Sequence, residues 1–309
     1  MSIKVNHLIK TFGEQNAVDD ITFDAREGEV LGFLGPNGAG KSTTMKIATS
    51  YLPPTSGSVE VCGYDVVNDP IAVRKNIGYL PEHNPLYLEM YVHEYLRFVG
   101  RLHGIKGKKL RGRVEEMIQM CGLEREQNKK IEALSKGYRQ RVGLAQSLIH
   151  DPTVLILDEP TSGLDPNQLL EIRNLIKQVS QNKTVIFSTH IMQEVQALCD
   201  RVIVIDKGKL VADDPLEKLK VERKNHNLVT VAFTEAVDQA KLEAIEGVIE
   251  VIDKGNGSYE LKAEVDKDIR PSVFKIASDN NYSLIELKQE EATMENVFHE
   301  LTRKEDKGS

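Results

Sequence analysis

Val30-Leu31-Gly32-Phe33-Leu34-Gly35-Pro36-Asn37-Gly38-Ala39-Gly40-Lys41-Ser42-Thr43 decides the fold. The apolar run Val30–Leu34 reads as a buried strand, and the eight residues from Gly35 fit G-x-x-x-x-G-K-[ST]. A helical pattern begins at Ser42. A plain glycine-rich turn would need neither the strand before it nor the helix after it. In this context the segment Gly35, Asn37, Gly38, Ala39, Gly40 and Thr43 is expected to close backbone N–H groups around phosphate oxygens, with the helix N-terminus adding a favourable dipole. Lys41 is then placed to reach the β- and γ-phosphates of a nucleotide, and Ser42 to offer its hydroxyl to Mg²⁺.

Further apolar runs, Thr153–Leu157, Thr184–Ser188 and Arg201–Ile205, lack polar alternation, as do strands covered on both faces. Between Thr153–Leu157 and Thr184–Ser188 lies a helical pattern carrying Leu169, Ile172, Leu175, Ile176 and Val179. Strands alternating with helices predict a parallel α/β sheet. The run Val154-Leu155-Ile156-Leu157-Asp158-Glu159 delivers two carboxylates to the end of a strand where ligands of such sheets bind. Asp158 is expected to hold Mg²⁺, mostly through water, and Glu159 to polarise an attacking water as general base. Residues 81–146 carry helical patterns (Val92–Leu102, Leu110–Met120, Arg139–Ile149) and no clear strand, so they read as a helical insertion, a subdomain of about residues 83–146.

The boundary is placed after residue 220. From Val221 onward 12 Lys/Arg stand against 19 Asp/Glu, whereas residues 1–220 balance at 28 against 28, so this part carries all of the net charge of −7. The excess of carboxylates argues against a nucleic-acid partner. Here the pattern runs Val229–Phe233 β-like, Asp238–Ile245 helical, Val248–Ile252 β-like, a Gly255-Asn256-Gly257 turn, Tyr259–Ala263 β-like, Ile269–Ser278 helical and Ser283–Leu287 β-like. That order matches a split βαβ, ferredoxin-like α+β plan. A last helical spacing falls on Met294, Val297, Phe298 and Leu301.

Composition excludes several classes. No apolar run approaches the roughly 18 residues that a membrane span needs, and the N-terminus lacks a signal-peptide pattern, so a cytoplasmic protein is expected. Cys62, Cys121 and Cys199 are too scattered for a disulfide framework or a zinc site. The basic cluster Lys106, Lys108, Lys109, Arg111 and Arg113 reads as a solvated loop and helix start rather than a phosphate-binding surface.

Five ordered motifs resemble the ATP-binding subunits of ABC transporters. They are the phosphate loop, Leu134-Ser135-Lys136-Gly137-Tyr138, the Asp158-Glu159 strand, Ser162-Gly163-Leu164-Asp165 and Ser188-Thr189-His190. The resemblance implies a P-loop NTPase of ABC type: a parallel core, an antiparallel β part and a helical subdomain. It implies ATP hydrolysis between two subunits arranged head to tail, with Ser135 and Gly137 of one facing the γ-phosphate held by the other. It also implies that His190 senses that phosphate, that Asp165, in the family's D-loop, is among the nucleotide-binding residues and that Phe12 stacks on adenine. The implied partners are a second ATP-binding subunit, expected to be a second copy, and an integral membrane permease at which the chain sits peripherally on the inner face. Tyr87–Tyr91 is either the contact for that permease or a surface loop packing its own tyrosines.

Two motifs depart from the family pattern. Lys136 and Tyr138 stand in a signature usually written Leu-Ser-Gly-Gly-Gln, and Glu82 replaces the usual glutamine, where its carboxylate is expected to contact Mg²⁺ through water. Both departures resemble an ABC-A-like subfamily. Residues 81–92 and the segment 287–301 are similar to the bacterial gliding-motility ATPases. Soluble ABC ATPases acting on ribosomes or DNA fit less well, since this chain has a single motif set and an acidic C-terminal part.

Overall fold

The computed structural model describes residues 1–218, 227–264 and 267–290. The chain divides into two compact units, Met1–Leu216 and Glu217–Ser309.

The first unit opens with β1 (Ile3–Phe12), β2 (Gln15–Ala25), β3 (Val30–Leu34), α1 (Lys41–Ala48), β4 (Ser56–Val61), β5 (Tyr64–Asp65), α2 (Pro70–Asn76) and β6 (Ile77–Leu80). Three helices follow: α3 (Val92–Leu102), α4 (Gly107–Met120) and α5 (Lys136–Leu148). The unit then returns to α/β order with β7 (Val154–Asp158), α6 (Pro166–Ser180), β8 (Thr184–Thr189), α7 (Met192–Leu198), β9 (Arg201–Asp206) and β10 (Lys209–Pro215). A six-stranded sheet runs β10-β9-β3-β8-β7-β6, parallel except for the edge strand β10. Every residue of β3, β7, β8 and β9 is buried. That is why these runs show no polar alternation: helices cover both faces.

A second, antiparallel sheet runs β2-β1-β4-β5. Its inward side chains Leu8, Ile21 and Phe23 share one core with Phe33, Met45, Ile47, Ile156 and Ile186. Phe23 meets Phe33 with ring centroids 5.4 Å apart, tilted at 46°. Each fully buried side chain of this size contributes roughly 1.5–3 kcal/mol relative to exposure. The core therefore packs the strand preceding the phosphate loop against the antiparallel sheet and α1.

Helices α3, α4 and α5 lie between β6 and β7, and their boundaries show what periodicity misses. The Glu94 carboxylate caps α3 by accepting from the Tyr91 N–H at 3.4 Å. The helix α4 begins at Gly107, ahead of its first buried residue Leu110, because its opening turn is polar and carries no apolar signal. The start of α5 is set by Ser135, whose Oγ accepts from the Tyr138 N–H at 3.4 Å.

In the second unit, β11 (Asn227–Phe233), α8 (Gln239–Glu243), β12 (Val248–Gly255), β13 (Ser258–Ala263), α9 (Arg270–Asp279) and β14 (Leu284–Glu290) form an antiparallel sheet in the order β12-β13-β11-β14. This is the ferredoxin-like plan. Val229, Val231, Phe233, Tyr259 and Leu261 alternate onto one face and pack with Leu242 and Val273 of its helices. The helical spacing at 294–301 lies outside the described residues.

The β12–β13 turn is two residues long, with Asn256 and Gly257 at φ of 54° and 73°. Both central residues positive is the hairpin turn that matches strand twist. A Cβ on Gly257 would stand 2.6 Å from the Phe233 carbonyl oxygen. Gly257→Val is therefore expected to weaken this unit by at least the roughly 1–2 kcal/mol of a left-handed backbone, with the clash added. Hydrogen exchange at the β11 and β13 amides measures it; unchanged protection would mean that the turn adapts.

Candidate active site

The phosphate loop links β3 to α1 at the C-terminal edge of the parallel sheet. Two of its glycines are required by their surroundings. A Cβ on Gly35 would lie 2.3 Å from the Ile205 carbonyl oxygen, and one on Gly40, at φ 109°, 2.5 Å from that of Ala17. Any larger residue at either position pushes the loop away from β9 or β2. Lys41 opens α1 and is buried, its ammonium donating to the carbonyl oxygens of Gly35 at 2.7 Å and Pro36 at 3.1 Å.

The register of the central strands brings the remaining groups alongside. Strand β8 pairs with both neighbours, Asp158 beside Ser188 and Leu34 beside Thr189. The Ser188 hydroxyl donates to Asp158 Oδ1 at 2.6 Å, fixing a carboxylate that is 2% exposed. Glu159 leaves the strand in the left-handed region, φ 49°, with its N–H donating to the Ser188 carbonyl oxygen at 3.0 Å. Strain of this kind costs about 1–3 kcal/mol and persists only where the surroundings impose it. Here it points the carboxylate back across the loop. Glu159 Oε2 bonds His190 Nδ1 at 2.8 Å, and Oε1 lies 3.3 Å from Lys41 Nζ as an ion pair without hydrogen-bond geometry.

His190 is oriented by the loop that bears it. The Thr189 hydroxyl donates to the fully buried Glu194 at 2.7 Å and accepts from the Ile191 N–H at 3.1 Å. Of the groups on and after β7 and β8, sequence reasoning gave individual roles to Asp158, Glu159 and His190. Ser188, Thr189 and Glu194, which hold them, were missed, although the Ser-Thr-His order and the paired apolar runs carried the signal.

Two cavities adjoin at this edge. One, about 250 Å³, is lined by Ala17, Asn37, Gly38, Gly40, Lys41, Ser42, Thr43, Glu82 and Glu159. The larger, about 570 Å³, takes in Ser42, Glu82 and Asp158 on one wall and reaches Tyr79, His103 and His150. Burial, and then the Asp158 carboxylate, push the Tyr79 phenol above its ordinary range. Burial and the stacked His103 ring, 3.8 Å away, lower His150 to about 4.

Phe12, Ser135, Gly137 and Asp165 are among the sequence candidates that line neither cavity. Phe12 ends β1, half exposed, with Lys10 Nζ 5.2 Å from its ring centre. Ser135 is exposed at the start of α5, and Gly137 packs on Gln168 of α6, where a Cβ would meet that side chain at 2.8 Å. Asp165 caps α6 by accepting from the Asn167 and Gln168 N–H groups at 3.0 and 2.9 Å. Lys136 reaches this loop too: a Cβ on Gly163 would touch its ammonium at 2.2 Å.

The ABC transporter family model matches residues 18–162. The linearmycin resistance ATP-binding protein LnrL of Bacillus subtilis (strain 168) is 32% identical over 97% of this chain and 98% of its own length. The chain belongs to the ABC transporter family, as one of its ATP-binding subunits. The ABC transporter ATP-binding protein NatA of the same organism is 39% identical over 72% of this ABC chain and 91% of itself. Among solved structures, the dimeric post-hydrolysis state of the ATP-binding cassette MJ0796 bound to ADP and Pi superposes with a TM-score of 0.64 at 26% identity. It covers 69% of this ABC chain and 98% of MJ0796. The ABC subunit thus binds and hydrolyses ATP on a P-loop NTPase fold. The LnrL match runs through the C-terminal unit as well. Among the described residues no helix is long and apolar enough to cross a membrane.

Proposed function

We propose that two copies of this chain close head to tail on two ATP molecules and drive an integral membrane permease from the cytoplasmic face. The carrying observation is Glu159, held at the end of β7 between Lys41 of the phosphate loop and His190. In this reading Glu159 takes a proton from the attacking water, Lys41 binds the β- and γ-phosphates, and His190 holds Glu159 and meets the γ-phosphate. The backbone of Gly35–Thr43 cradles the phosphates, and Phe12, exposed at the end of β1, stacks on the base. Ser135 and Gly137 meet the γ-phosphate of the opposite copy, which fits the exposed place of Ser135 at the start of α5. Asp165 shapes the interface beside them.

Mg²⁺ fits the donor set. Ser42, Glu82 and Asp158 offer hard oxygen atoms on one cavity wall. The ion would neutralise phosphate charge, while Ser188 keeps Asp158 oriented toward it. For the permease, Tyr87, Leu88 and Tyr91 present exposed apolar surface, although Tyr87 also packs edge-on against Tyr95 and Phe98. Residues 221–309 are read as a separate domain that braces the dimer. An export role is supported by relatives named for resistance and export, LnrL among them; the similarity of residues 81–92 to gliding-motility ATPases is its narrower form.

The test is the oligomeric state of the purified chain with ATP or ADP, together with affinity capture from detergent-solubilised membranes. ATP-dependent dimers and a stoichiometric polytopic membrane protein are expected. A chain that stays monomeric with ATP and retains no membrane protein would remove the motor reading.

A further inference from the structure

The helical insertion carries a basic surface that the nucleotide chemistry does not use. Arg97 and Arg101 stand one turn apart on α3, so they share a face. Together with Lys106, Gly107, Leu110 and Arg111 they line a groove of about 730 Å³ between α3 and the start of α4. Lys108 and Lys109 continue the cluster along the first turn of α4, whose N-terminus has no side-chain cap. All of these cations are exposed, and Leu102 beside them is 70% exposed.

What sets the surface apart is where the neighbouring carboxylates go. Glu115 pairs with Arg111 at 3.2 Å, and Glu116 pairs with Arg113 at 2.6 Å. Among the described residues, no carboxylate pairs with Arg97, Arg101, Lys106, Lys108 or Lys109. In the sequence the cluster reads as a solvated loop, because Arg97 and Arg101 lie apart from the lysines; the fold adds them to it. A chain of net charge −7 is repelled by a negative surface in most orientations. This patch is where it is attracted.

We propose that this groove docks the helical insertion onto the anionic headgroups of the membrane that houses the permease, orienting the chain before and during permease contact. The proposal rests on the transporter reading above. A broad negative surface suits separated, exposed cations flanking one exposed leucine. Each Lys or Arg near such a surface strengthens binding about fivefold, and the effect fades within a Debye length of about 8 Å at physiological salt.

The test is co-sedimentation of the full chain, without permease, with vesicles of phosphatidylcholine alone or containing about 30% phosphatidylglycerol. The comparison is the combined variant Arg97→Gln, Arg101→Gln, Lys106→Gln, Lys109→Gln. The wild type is expected to pellet only with anionic vesicles and to be released by salt. The variant is expected to lose several hundred-fold in vesicle affinity, at about fivefold per cation, with its ATPase rate unchanged as evidence of folding. Were the variant not to fold, the wild-type salt and lipid dependence would still decide. Equal pelleting on neutral vesicles, or undiminished binding by the variant, overturns the proposal. Release by millimolar inorganic phosphate at constant ionic strength would assign the groove to a soluble anion, and tighter patch-dependent binding to single-stranded RNA would assign it to nucleic acid; either overturns the proposal too. A chain that captures a permease but ignores vesicles loses this inference and leaves the transporter reading standing.

Discussion

Glu159→Gln is expected to keep ATP binding, lower ATP turnover by about 10²–10⁴-fold and accumulate an ATP-bound dimer. The substitution preserves shape. An amide oxygen in place of Oε1 still faces Lys41, and an amide N–H₂ in place of Oε2 can donate to His190 Nδ1 if that ring carries its proton on Nε2. What is lost is the ability to accept a proton from water at the end of β7. Stability is expected to fall by less than the roughly 3–5 kcal/mol of a broken buried pair, because the Lys41 ammonium keeps the carbonyl oxygens of Gly35 and Pro36 and gains the glutamine amide oxygen. Single-turnover hydrolysis, nucleotide affinity and size-exclusion chromatography with ATP measure the three parts. A variant that turns over at the wild-type rate would take Glu159 out of the chemistry. One that loses both turnover and nucleotide binding would make it a structural partner of Lys41 instead.

The parallel sheet was legible because its strands are buried on both faces, so Val30–Leu34 and Val154–Leu157 announce themselves as unbroken apolar runs. The C-terminal plan was legible for a different reason: Val229, Val231 and Phe233 alternate, and Asn256-Gly257 fits a single turn type. The antiparallel strands β1 and β2 left no such trace in the residues. Their pairing shifts register between Val5 and Leu8, between Leu8 and Lys10 and again before Thr11, with His7 and Asp20 at positive φ. Each irregularity breaks the period of two on which a strand reading depends. Only the family resemblance implied that sheet. At the site, the motifs pointed to candidate groups but not to the contacts between them. That Glu159 links Lys41 to His190 depends on strands β3, β7 and β8 lying side by side, a pairing of segments more than a hundred residues apart. Strand order of this kind follows from topology, which local pattern does not encode.

Lys41→Met is expected to lower both ATP affinity and the stability of the nucleotide-free chain, and the two losses have separable causes. Methionine nearly matches the length of lysine and suits α1, so helix formation is not at issue. ATP loses charge-assisted hydrogen bonds from the ammonium, each worth about 1.5–3 kcal/mol, which places the affinity loss at about a hundredfold. Without nucleotide, the buried Glu159 carboxylate keeps only His190, a half-exposed partner, and the carbonyl oxygens of Gly35 and Pro36 lose their donor. Breaking a buried pair from one side costs about 3–5 kcal/mol. Most of that cost belongs to the stranded carboxylate, so it should disappear when the charge does. The double variant Lys41→Met, Glu159→Gln is therefore expected to recover most of the melting temperature and none of the ATP affinity. If the double variant were as unstable as Lys41→Met, the loss would lie in the loop carbonyls rather than in the ion pair. If Lys41→Met kept ATP affinity within a factor of about ten, the ammonium would be holding the loop in shape without binding phosphate.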